Sequence, residues 1–456
     1  MQPSLDVRNP ATNEVIGTIK NTTPDDVDLC VSAAQEILPV WEKTAASKRA
    51  VLFVNAASLI RSRAEGLAAL LTTEQGKPLR EARDEILGSA HVFEYYASVC
   101  GSIPGDARDL PGYGYLNVVR KPLGVCAAII PWNMPVMIFA WKAGAALACG
   151  NAVLAKPSKT APLTIIKIAE ALHEGGFPKE ALQIVTGSGE QTGSALITHP
   201  DVRHISFTGS IQSGKAVSLQ AAPHLKKLTL ELGGNDSFIV TRTADIESAV
   251  KAAVRNRFYN CGQVCTSAKR ILVDEHIAEE FVHKAEVMLS GYVVGNGLEK
   301  VNMGPLNNAN QLALIEAFVE GVLDRDEAQL VYGGKRLDMP GNFYAPTLLK
   351  NVSPLAVSEE IFGPVMSVIP FGSPDEALDI ANSTMYGLGS SVWTSEISTA
   401  RRFAEGLRCG VVWVNKHLTL PPEMPFGGVG NSGFGRENGR DFVYEYTEPK
   451  SILFGQ

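Results

Sequence analysis

The strongest constraint on the fold is a regular alternation of short apolar runs and longer amphipathic segments that begins near Leu123. Short runs rich in β-branched residues are typical of buried strands, and the segments between them have helical periodicity. Strands separated by helices form parallel βαβ units in an open, doubly wound sheet. In this first series the predicted strands are 125–130, 152–155, 182–185 and 204–207, and the predicted helices are 134–147, 162–173, 191–199 and 210–221.

A second series of the same kind follows Glu231, with predicted strands at 270–273, 365–371, 390–393 and 410–415. Long helical patterns at 47–74 and 78–99 precede both series, together with a helix that starts at Thr23-Pro24. The segments 113–121 and 443–454 fit neither series, and each is interpreted as an extended arm that pairs with another subunit. The predicted fold class is therefore α/β, with two doubly wound, Rossmann-like domains and a small β-arm oligomerisation element.

Composition argues against several classes of function. A net charge of -7 and the scarcity of clustered Lys and Arg argue against a nucleic-acid partner. Seven Cys without regular spacing do not indicate a disulfide framework, and the sequence has no metal-binding motif. The apolar stretch after Pro131 is interrupted by Lys142, so we expect no membrane span. Because the N-terminus has no basic start followed by an apolar run, we expect a protein of the reducing cytoplasm.

Two short segments contain candidate reactive groups. Cys265 lies among small residues in the segment 261–267, and Glu231 precedes a Gly-Gly turn at 233–234. A cysteine thiolate attacks carbonyl carbons, and release of its acyl adduct needs a base that activates water. A buried structural Cys and a solvated Glu are the alternatives for either residue taken alone.

Several polar residues follow predicted strands. Asn133 lies close to two prolines that restrict the backbone, which would orient its amide as an oxyanion donor; a helix cap is the alternative. Lys156 ends the next strand, where ligands bind in open α/β sheets. The usual G-x-G-x-x-G fingerprint is missing, since 187–193 has one extra position before its last Gly. The turn at 209–214 suits a pyrophosphate or is a plain strand–helix turn.

With these motifs in view, the chain resembles the aldehyde dehydrogenase superfamily, in its hydrolytic NAD(P)-dependent branch. The resemblance covers nearly the whole chain, and its motifs occur in the order that the family shows. They are Pro131-Trp132-Asn133, Lys156-Pro157-Ser158, Phe207-Thr208-Gly209-Ser210, Glu231-Leu232-Gly233-Gly234, Gly262-Gln263-Val264-Cys265, Glu360-Ile361-Phe362-Gly363-Pro364 and Pro425-Phe426-Gly427-Gly428.

The resemblance implies roles for individual residues. Cys265 matches the nucleophile, Glu231 matches the base for thioester hydrolysis, and Asn133 with the backbone N–H of Cys265 resembles the oxyanion hole. It further implies a dinucleotide-binding domain at 1–102 and 123–230, a catalytic domain at 231–435, and an oligomerisation arm at 103–122 and 436–456. The residues expected to bind the cofactor are Trp132, Lys156, Ser158, Lys159, Thr208, Gly209, Ser210, Gly214, Glu360 and Phe362.

The expected cofactor is NAD or NADP. Family members that prefer NAD often have a carboxylate at the position of Lys159, where it binds the ribose 2′-hydroxyl. A cation there would attract a 2′-phosphate, so we expect NADP to be accepted. A solvent-facing Lys without a role is the alternative.

The expected substrate is an uncharged aliphatic or aromatic aldehyde, because the candidate pocket is mainly apolar. Its residues are Met137, Trp141, Val264, Thr266 and Leu420, with Lys416 and His417 as candidates for meeting a polar group. Trp141 stands where succinate-semialdehyde enzymes of the family present an Arg, which disfavours a semialdehyde. The competing functions are a CoA-acylating dehydrogenase, a cysteine hydrolase or acyltransferase without a redox step, and a binding protein on an enzyme scaffold.

Two further expectations concern assembly and the second thiol. The arms predict a homodimer or homotetramer. Cys261 lies four residues before Cys265, which on a helix would place both thiols on one face and allow a reversible disulfide.

Overall fold

The strands of the protein form four sheets, which a computed structural model describes over residues 4–455. In chain order the strands are β1 (Ser4–Arg8), β2 (Val15–Lys20), β3 (Asp106–Leu110), β4 (Gly114–Pro122), β5 (Val125–Ile129), β6 (Ala152–Lys156), β7 (Leu182–Ile184), β8 (Val202–Thr208), β9 (Lys227–Glu231), β10 (Ser237–Val240), β11 (Arg270–Asp274), β12 (Gln329–Tyr332), β13 (Thr347–Lys350), β14 (Val365–Phe371), β15 (Gly389–Trp393), β16 (Val411–Val414), β17 (Gly433–Phe434) and β18 (Thr447–Phe454).

Helices separate most of these strands along the chain. They are α1 (Pro24–Trp41), α2 (Ala46–Ser62), α3 (Ala64–Gln75), α4 (Leu79–Val99), α5 (Pro135–Ala148), α6 (Leu163–Glu174), α7 (Ser194–Thr198), α8 (Ile211–Ala221), α9 (Ile246–Phe258), α10 (Ala278–Ser290), α11 (Ala309–Asp324), α12 (Pro374–Asn382), α13 (Ile397–Gly406) and α14 (Phe442–Tyr446). The start of α1 is as predicted, because Thr23 and Asp26 form a capping box. Within residues 4–455, no helix has both the length and the apolar character needed to cross a membrane.

The first α/β series forms a six-stranded sheet in the order β17-β9-β8-β5-β6-β7, parallel except for β17. The residues of β5 are almost entirely buried, as expected for a strand covered on both faces. The chain continues from β5 to its neighbour β6, while β8 pairs on the other side, so the strand order reverses at β5. Ligands of open α/β sheets bind at the carboxyl ends of strands at such a switch point. Asn133 follows β5 there, and Gly209 follows β8.

The second series forms a seven-stranded sheet in the order β12-β13-β14-β11-β10-β15-β16, parallel except for β12. The chain crosses between the two large sheets after Glu231, the last residue of β9. Cys265 precedes β11 and Glu360 precedes β14, so both lie at the amino ends of strands. A cavity between this edge and the carboxyl ends of β5 and β8 is therefore the candidate site.

The predicted fold class is confirmed by the two mainly parallel sheets and the separate small β element. One predicted helix, 47–74, is wrong as a single element, because Arg63 leaves helical geometry and divides it into α2 and α3. The strand predicted at 443–454 is also wrong at its start. Phe442, Val443 and Tyr446 have helical spacing and are buried as α14 next to α5.

The two arm segments pair with each other in the three-stranded sheet β18-β4-β3. Thr447 lies opposite Pro122, and Phe454 lies opposite Tyr115. This pairing within one chain explains their extended form without a second subunit. The domain boundaries and the role of this sheet in oligomerisation stay predictions.

Candidate active site

A cavity of about 220 Å³ lies between the two large sheets and brings together most of the predicted site residues. Leu232, Gly233 and Gln311 also line it, although the sequence alone indicated no role for them at the site. The predicted residues that line the cavity are Trp132, Asn133, Thr208, Gly209, Ser210, Cys265, Glu360 and Phe362.

The turn before Cys265 is backbone-strained. Asn260, Cys261 and Gly262 have successive positive φ angles of 50°, 55° and 73°. Such angles are costly for residues with a Cβ and persist only where neighbouring groups hold them. The prediction that Cys261 and Cys265 share a helix face is wrong, because this turn is not an α-helix. Cys261 is buried in the apolar core beside the seven-stranded sheet, whereas Cys265 packs against the apolar core beside the six-stranded sheet.

Two buried side chains hold this turn. The Glu81 carboxylate accepts the backbone N–H of Asn260 at 2.8 Å. The Arg257 guanidinium donates to the carbonyls of Gly262 and Ile361, at 3.4 Å and 2.9 Å, and so joins the Cys265 loop to the loop of Glu360. At Gly262 an added Cβ would lie 2.2 Å from the Gly363 carbonyl oxygen, so only glycine fits where the two loops meet.

The side-chain amide of Asn133 is held in one orientation. Its Nδ2 donates to the Gln263 carbonyl at 3.1 Å, which uses one of its two hydrogens and leaves the other for a ligand. Asn133 does not cap α5, whose N-cap residue is Met134. The structure therefore contradicts the interpretation of Asn133 as a helix cap.

A buried ion pair holds the main chain of Asn133. Lys77 and Glu85, both fully buried, are in contact, and Lys77 Nζ donates to the Asn133 carbonyl at 2.9 Å. Glu85 accepts the first free N–H groups of α5, from Val136 at 2.9 Å and Met137 at 3.1 Å. Sequence reasoning missed Lys77, Glu81 and Glu85. The three charged residues are spaced four positions apart in the sequence, but this spacing also fits a solvent-exposed helix face.

Cys265 is partly exposed to the cavity, and its surroundings oppose ionisation. Burial, together with the negative charges of Asp236, Glu360 and Glu231, raises the pKa of the Cys265 thiol to about 12. Lys269 acts in the opposite direction. The thiol is therefore protonated at neutral pH unless a charge near it changes.

Glu231 does not line the cavity but is close enough to influence the pKa of Cys265. It is 3% exposed, and neither carboxylate oxygen has a hydrogen-bond partner among residues 4–455. Burial holds the pKa of Glu231 well above its usual range; Glu437 raises it further, while Lys142 and Arg436 lower it. A buried carboxylate without a partner is suited to accept a proton from an admitted water.

Lys142 and Glu437 form a second fully buried ion pair, at 2.7 Å, and both also contact Ser206. In the sequence, Lys142 only interrupted an apolar helix, and Glu437 fell in the predicted arm. A lone Lys in an apolar helix signals a buried partner, but the sequence does not say where along the chain that partner lies. Through their charges both residues act on the pKa of Glu231.

The remaining cofactor candidates lie outside this cavity. Lys156 is buried at the end of β6, and this burial lowers its pKa to about 8. The negative charge of Glu190 opposes that shift, and the sequence alone did not indicate Glu190 as a site residue. Ser158 contacts Thr160, and Lys159 is exposed. Gly214 packs against Leu232, since a Cβ there would lie 2.5 Å from its Cδ2.

The site fits a dinucleotide. The rings of Trp132 and Phe362 meet edge to face at 5.5 Å beside the cavity, which suits a flat heterocycle. Ser210 caps α8, whose N-terminal amides lie at the sheet's switch point, as a pyrophosphate requires. Gly209 leaves room there, because a Cβ would lie 2.5 Å from the Phe207 ring. Residues 4–455 contain no group of three or more His, Cys, Asp or Glu side chains placed to hold a metal ion.

None of the predicted substrate residues lines the described cavity. Trp141 packs against Phe426 at 5.3 Å, while Val264 and Thr266 are buried. Met137 and Leu420 are partly buried against the same apolar cluster as Trp141. The structure thus brings Met137, Trp141 and Leu420 to one apolar cluster, while Val264 and Thr266 are buried on either side of Cys265 in the chain.

The expectation that His417 meets a polar substrate group is wrong. Its ring nitrogens are used by Ser391 Oγ at 2.9 Å and the Thr266 carbonyl at 2.8 Å. Burial lowers the pKa of His417 to about 4, so the ring is neutral. Lys416 is exposed.

Comparison with known proteins agrees with this geometry. The model of the aldehyde dehydrogenase family matches residues 1–452. PnpE from Pseudomonas sp. WBC-3, also solved with nicotinamide adenine dinucleotide, is 35% identical with a TM-score of 0.97, over 99% of this chain and 94% of PnpE. An NADP dependent enzyme of E. coli is 36% identical with a TM-score of 0.98, over 100% of this chain and 95% of that one. Betaine aldehyde dehydrogenase (betB) from Staphylococcus aureus in complex with NAD+ is 34% identical with a TM-score of 0.96, over 99% and 92%.

Proposed function

The chain belongs to the aldehyde dehydrogenase family, and on that premise we propose that it oxidises an uncharged aliphatic or aromatic aldehyde through a thioester on Cys265. It is an NAD(P)-dependent aldehyde dehydrogenase. The observation that carries the proposed mechanism is the cavity in which Cys265 and Asn133 meet the aromatic pair of Trp132 and Phe362.

The first step joins sulfur to carbon. The Cys265 thiolate adds to the aldehyde carbon, and the oxygen that becomes negative accepts the Asn133 amide hydrogen that Gln263 leaves free. A bound nicotinamide would supply the acceptor for the hydride of the aldehyde carbon. Collapse of the oxyanion leaves an acyl group on Cys265 as a thioester. The residues that would hold the cofactor are Trp132, Lys156, Ser158, Lys159, Thr208, Gly209, Ser210, Gly214, Glu360 and Phe362.

The second step is hydrolysis of the thioester. Glu231 takes a proton from water, the resulting hydroxide adds to the acyl carbon, and the Cys265 thiolate leaves as the carboxylic acid forms. Burial raises the pKa of Glu231 most; Glu437 raises it further and Lys142 lowers it, so this buried pair adjusts the pH at which the base works.

We propose that the cofactor site accepts NADP as well as NAD. Lys159 is exposed beside the buried Lys156, and its charge lowers the pKa of that residue, so positive potential extends along this edge. Glu190 adds a negative charge to the same region. The positive charge of Lys159 would attract the 2′-phosphate of NADP, while binding of the unphosphorylated ribose of NAD would not depend on that charge.

The proposed substrate class follows from the residues near Cys265. Met134, Met137, Leu420 and Met424 are partly buried against the cluster that contains Trp141 and Phe426. Apolar side chains with flexible thioethers accommodate aliphatic or aromatic groups of varied shape. His417 is not suited to bind a second carboxylate, since its ring is neutral and both of its nitrogens are already bonded.

A homodimer or homotetramer and a cytoplasmic location remain proposals. Leu453 and Phe454 expose more than half of their surface on β18, an edge strand, which favours a further contact. All seven cysteines are unpaired, as in proteins of reducing compartments.

An aldehyde panel assayed with both cofactors tests the proposal. We expect one reduced cofactor per carboxylic acid formed, faster turnover of uncharged aldehydes than of semialdehydes, and no dependence on CoA. Cys265→Ala should abolish the reaction. Aldehyde oxidation that persists in folded Cys265→Ala protein would contradict the mechanism.

A further inference from the structure

The ammonium group of Lys269 lies between the nucleophile and a residue proposed to bind the cofactor. The side chain is fully buried just before β11. Its Nζ donates to the carbonyls of Val264 at 2.9 Å and Cys265 at 2.5 Å. Its third contact is the Glu360 carboxylate, at 3.2 Å. The three ammonium hydrogens therefore have three acceptors, and only one of these acceptors is a mobile side chain.

We propose that Lys269 couples cofactor binding to activation of Cys265, because Glu360 neutralises Lys269 until it turns away to the cofactor ribose. Once Glu360 leaves, the charge of Lys269 has no counter-ion and favours the thiolate of Cys265. Lys269 is thus a positioning residue that acts through charge. This inference rests on the proposed roles of Cys265 and Glu360.

The structure allows Glu360 to move and Lys269 to stay. The Glu360 side chain is 18% exposed and borders the cavity, and its other described contact is the Gly234 N–H at 3.3 Å. At Gly233 a Cβ would lie 2.3 Å from the Glu360 carboxylate, so glycine leaves the room in which it turns. Lys269 is enclosed and is held by two main-chain carbonyls.

The charges that face this centre come from several strands. Glu231 ends β9, Asp236 precedes β10, and Glu360 precedes β14, and all three oppose the thiolate of Cys265. Lys269 is the cation that favours it. Two more buried cations face the carboxylates: Arg257 acts on Glu360 and Arg270 acts on Asp236, while His417 is neutral.

Substitution of Lys269 or Glu360 changes the charge next to the Cys265 thiol. Removing the positive charge of Lys269 raises the pKa of Cys265, whereas removing the negative charge of Glu360 lowers it. A charged group at close range shifts a neighbouring pKa by about one unit or more, and below the midpoint one unit changes the thiolate fraction tenfold. The two substitutions therefore act in opposite directions, which a loss of packing would not produce.

Alkylation of Cys265 by iodoacetamide, measured against pH without cofactor, tests the inference. Cys265→Ala identifies the signal from position 265, and the ultraviolet absorbance of the thiolate gives a second readout. Lys269→Gln should slow alkylation about tenfold at a fixed pH below the midpoint, and Glu360→Gln should accelerate it about tenfold. Lys215→Gln is the matched control, because Lys215 borders the surface cavity next to Glu360. Lys215 is exposed and its charge is screened by solvent, so its removal should leave the alkylation rate of Cys265 unchanged.

Addition of NAD supplies the second arm of the experiment. The midpoint of alkylation should fall in wild type, and this fall should be lost in both Lys269→Gln and Glu360→Gln. An unchanged midpoint in folded Lys269→Gln overturns the inference. If Lys269→Gln does not fold, Glu360→Gln tests the inference instead. An alkylation midpoint in Glu360→Gln that is equal to or higher than that of wild type overturns the inference. Failure of the proposed mechanism is distinguishable, because it would appear as aldehyde oxidation by Cys265→Ala.

Discussion

Replacing Asn133 by Ala separates transition-state stabilisation from folding. The substitution removes the amide that would bind the oxyanion. It also removes the hydrogen bond to the Gln263 carbonyl, but that carbonyl keeps the Asn260 amide at 3.2 Å. The Asn133 carbonyl keeps both Lys77 and Asn260. No buried main-chain group loses its last partner.

The expected magnitudes follow from these contacts. Loss of one preorganised oxyanion donor costs roughly 3 kcal/mol in the transition state, or on the order of a hundredfold or more in turnover. The cost in the free energy of unfolding should be about 1 kcal/mol or less, because a single compensated hydrogen bond is lost. We therefore expect kcat/KM to fall by at least two orders of magnitude, while the melting temperature changes little.

Asn151→Ala is the matched control. Asn151 is fully buried, accepts the Gly124 N–H at 2.9 Å and donates to the Tyr446 carbonyl at 2.9 Å, away from the cavity. Its loss should lower the melting temperature, because Gly124 loses a partner, and leave kcat/KM of the folded protein little changed. Steady-state production of reduced cofactor and thermal unfolding provide both measurements. A folded Asn133→Ala protein with kcat/KM near wild type would refute the oxyanion role.

Three further substitutions probe the base and the cofactor site. Glu231→Gln should keep a first-turnover burst of reduced cofactor but slow the steady state on the order of a hundredfold or more, and loss of the burst would contradict its role in deacylation. Because the folded state raises the pKa of Glu231, the wild-type protein loses stability as the pH rises above the usual carboxyl range. The melting temperature of Glu231→Gln should therefore exceed that of wild type at neutral pH and equal it at acid pH. Lys142→Met removes a cation that lowers the pKa of Glu231, and the rising limb of the deacylation rate should move to higher pH. Lys159→Glu should lower kcat/KM for NADP relative to NAD, and an unchanged ratio would show that Lys159 only faces solvent.

The sequence supported predictions for local features better than for contacts between distant segments. The periodicity of 125–130 and 204–207 predicted buried strands because side-chain burial follows backbone geometry residue by residue. The same reasoning was wrong at Cys261, where the spacing of four suggested a helix. Glu81 and Arg257 hold the backbone there in positive φ, and neither contact has a signal near Cys261 in the sequence.

The missed residues that hold the site, Lys77, Glu81, Glu85, Lys142 and Glu437, share one physical property: each is a buried charged side chain with a partner in another element of the fold. Lys142 pairs with Glu437 across 295 positions, and Lys77 donates to the carbonyl of Asn133. A charged side chain is normally read as solvated because burial without a partner is costly. Only the fold shows that the partner is present. Such pairs need not add stability, since a buried ion pair often contributes less than apolar packing would. Near Asn133 the pair of Lys77 and Glu85 holds the main chain, and near Glu231 the charges of Lys142 and Glu437 act on the pKa of that carboxylate, which apolar side chains could not do.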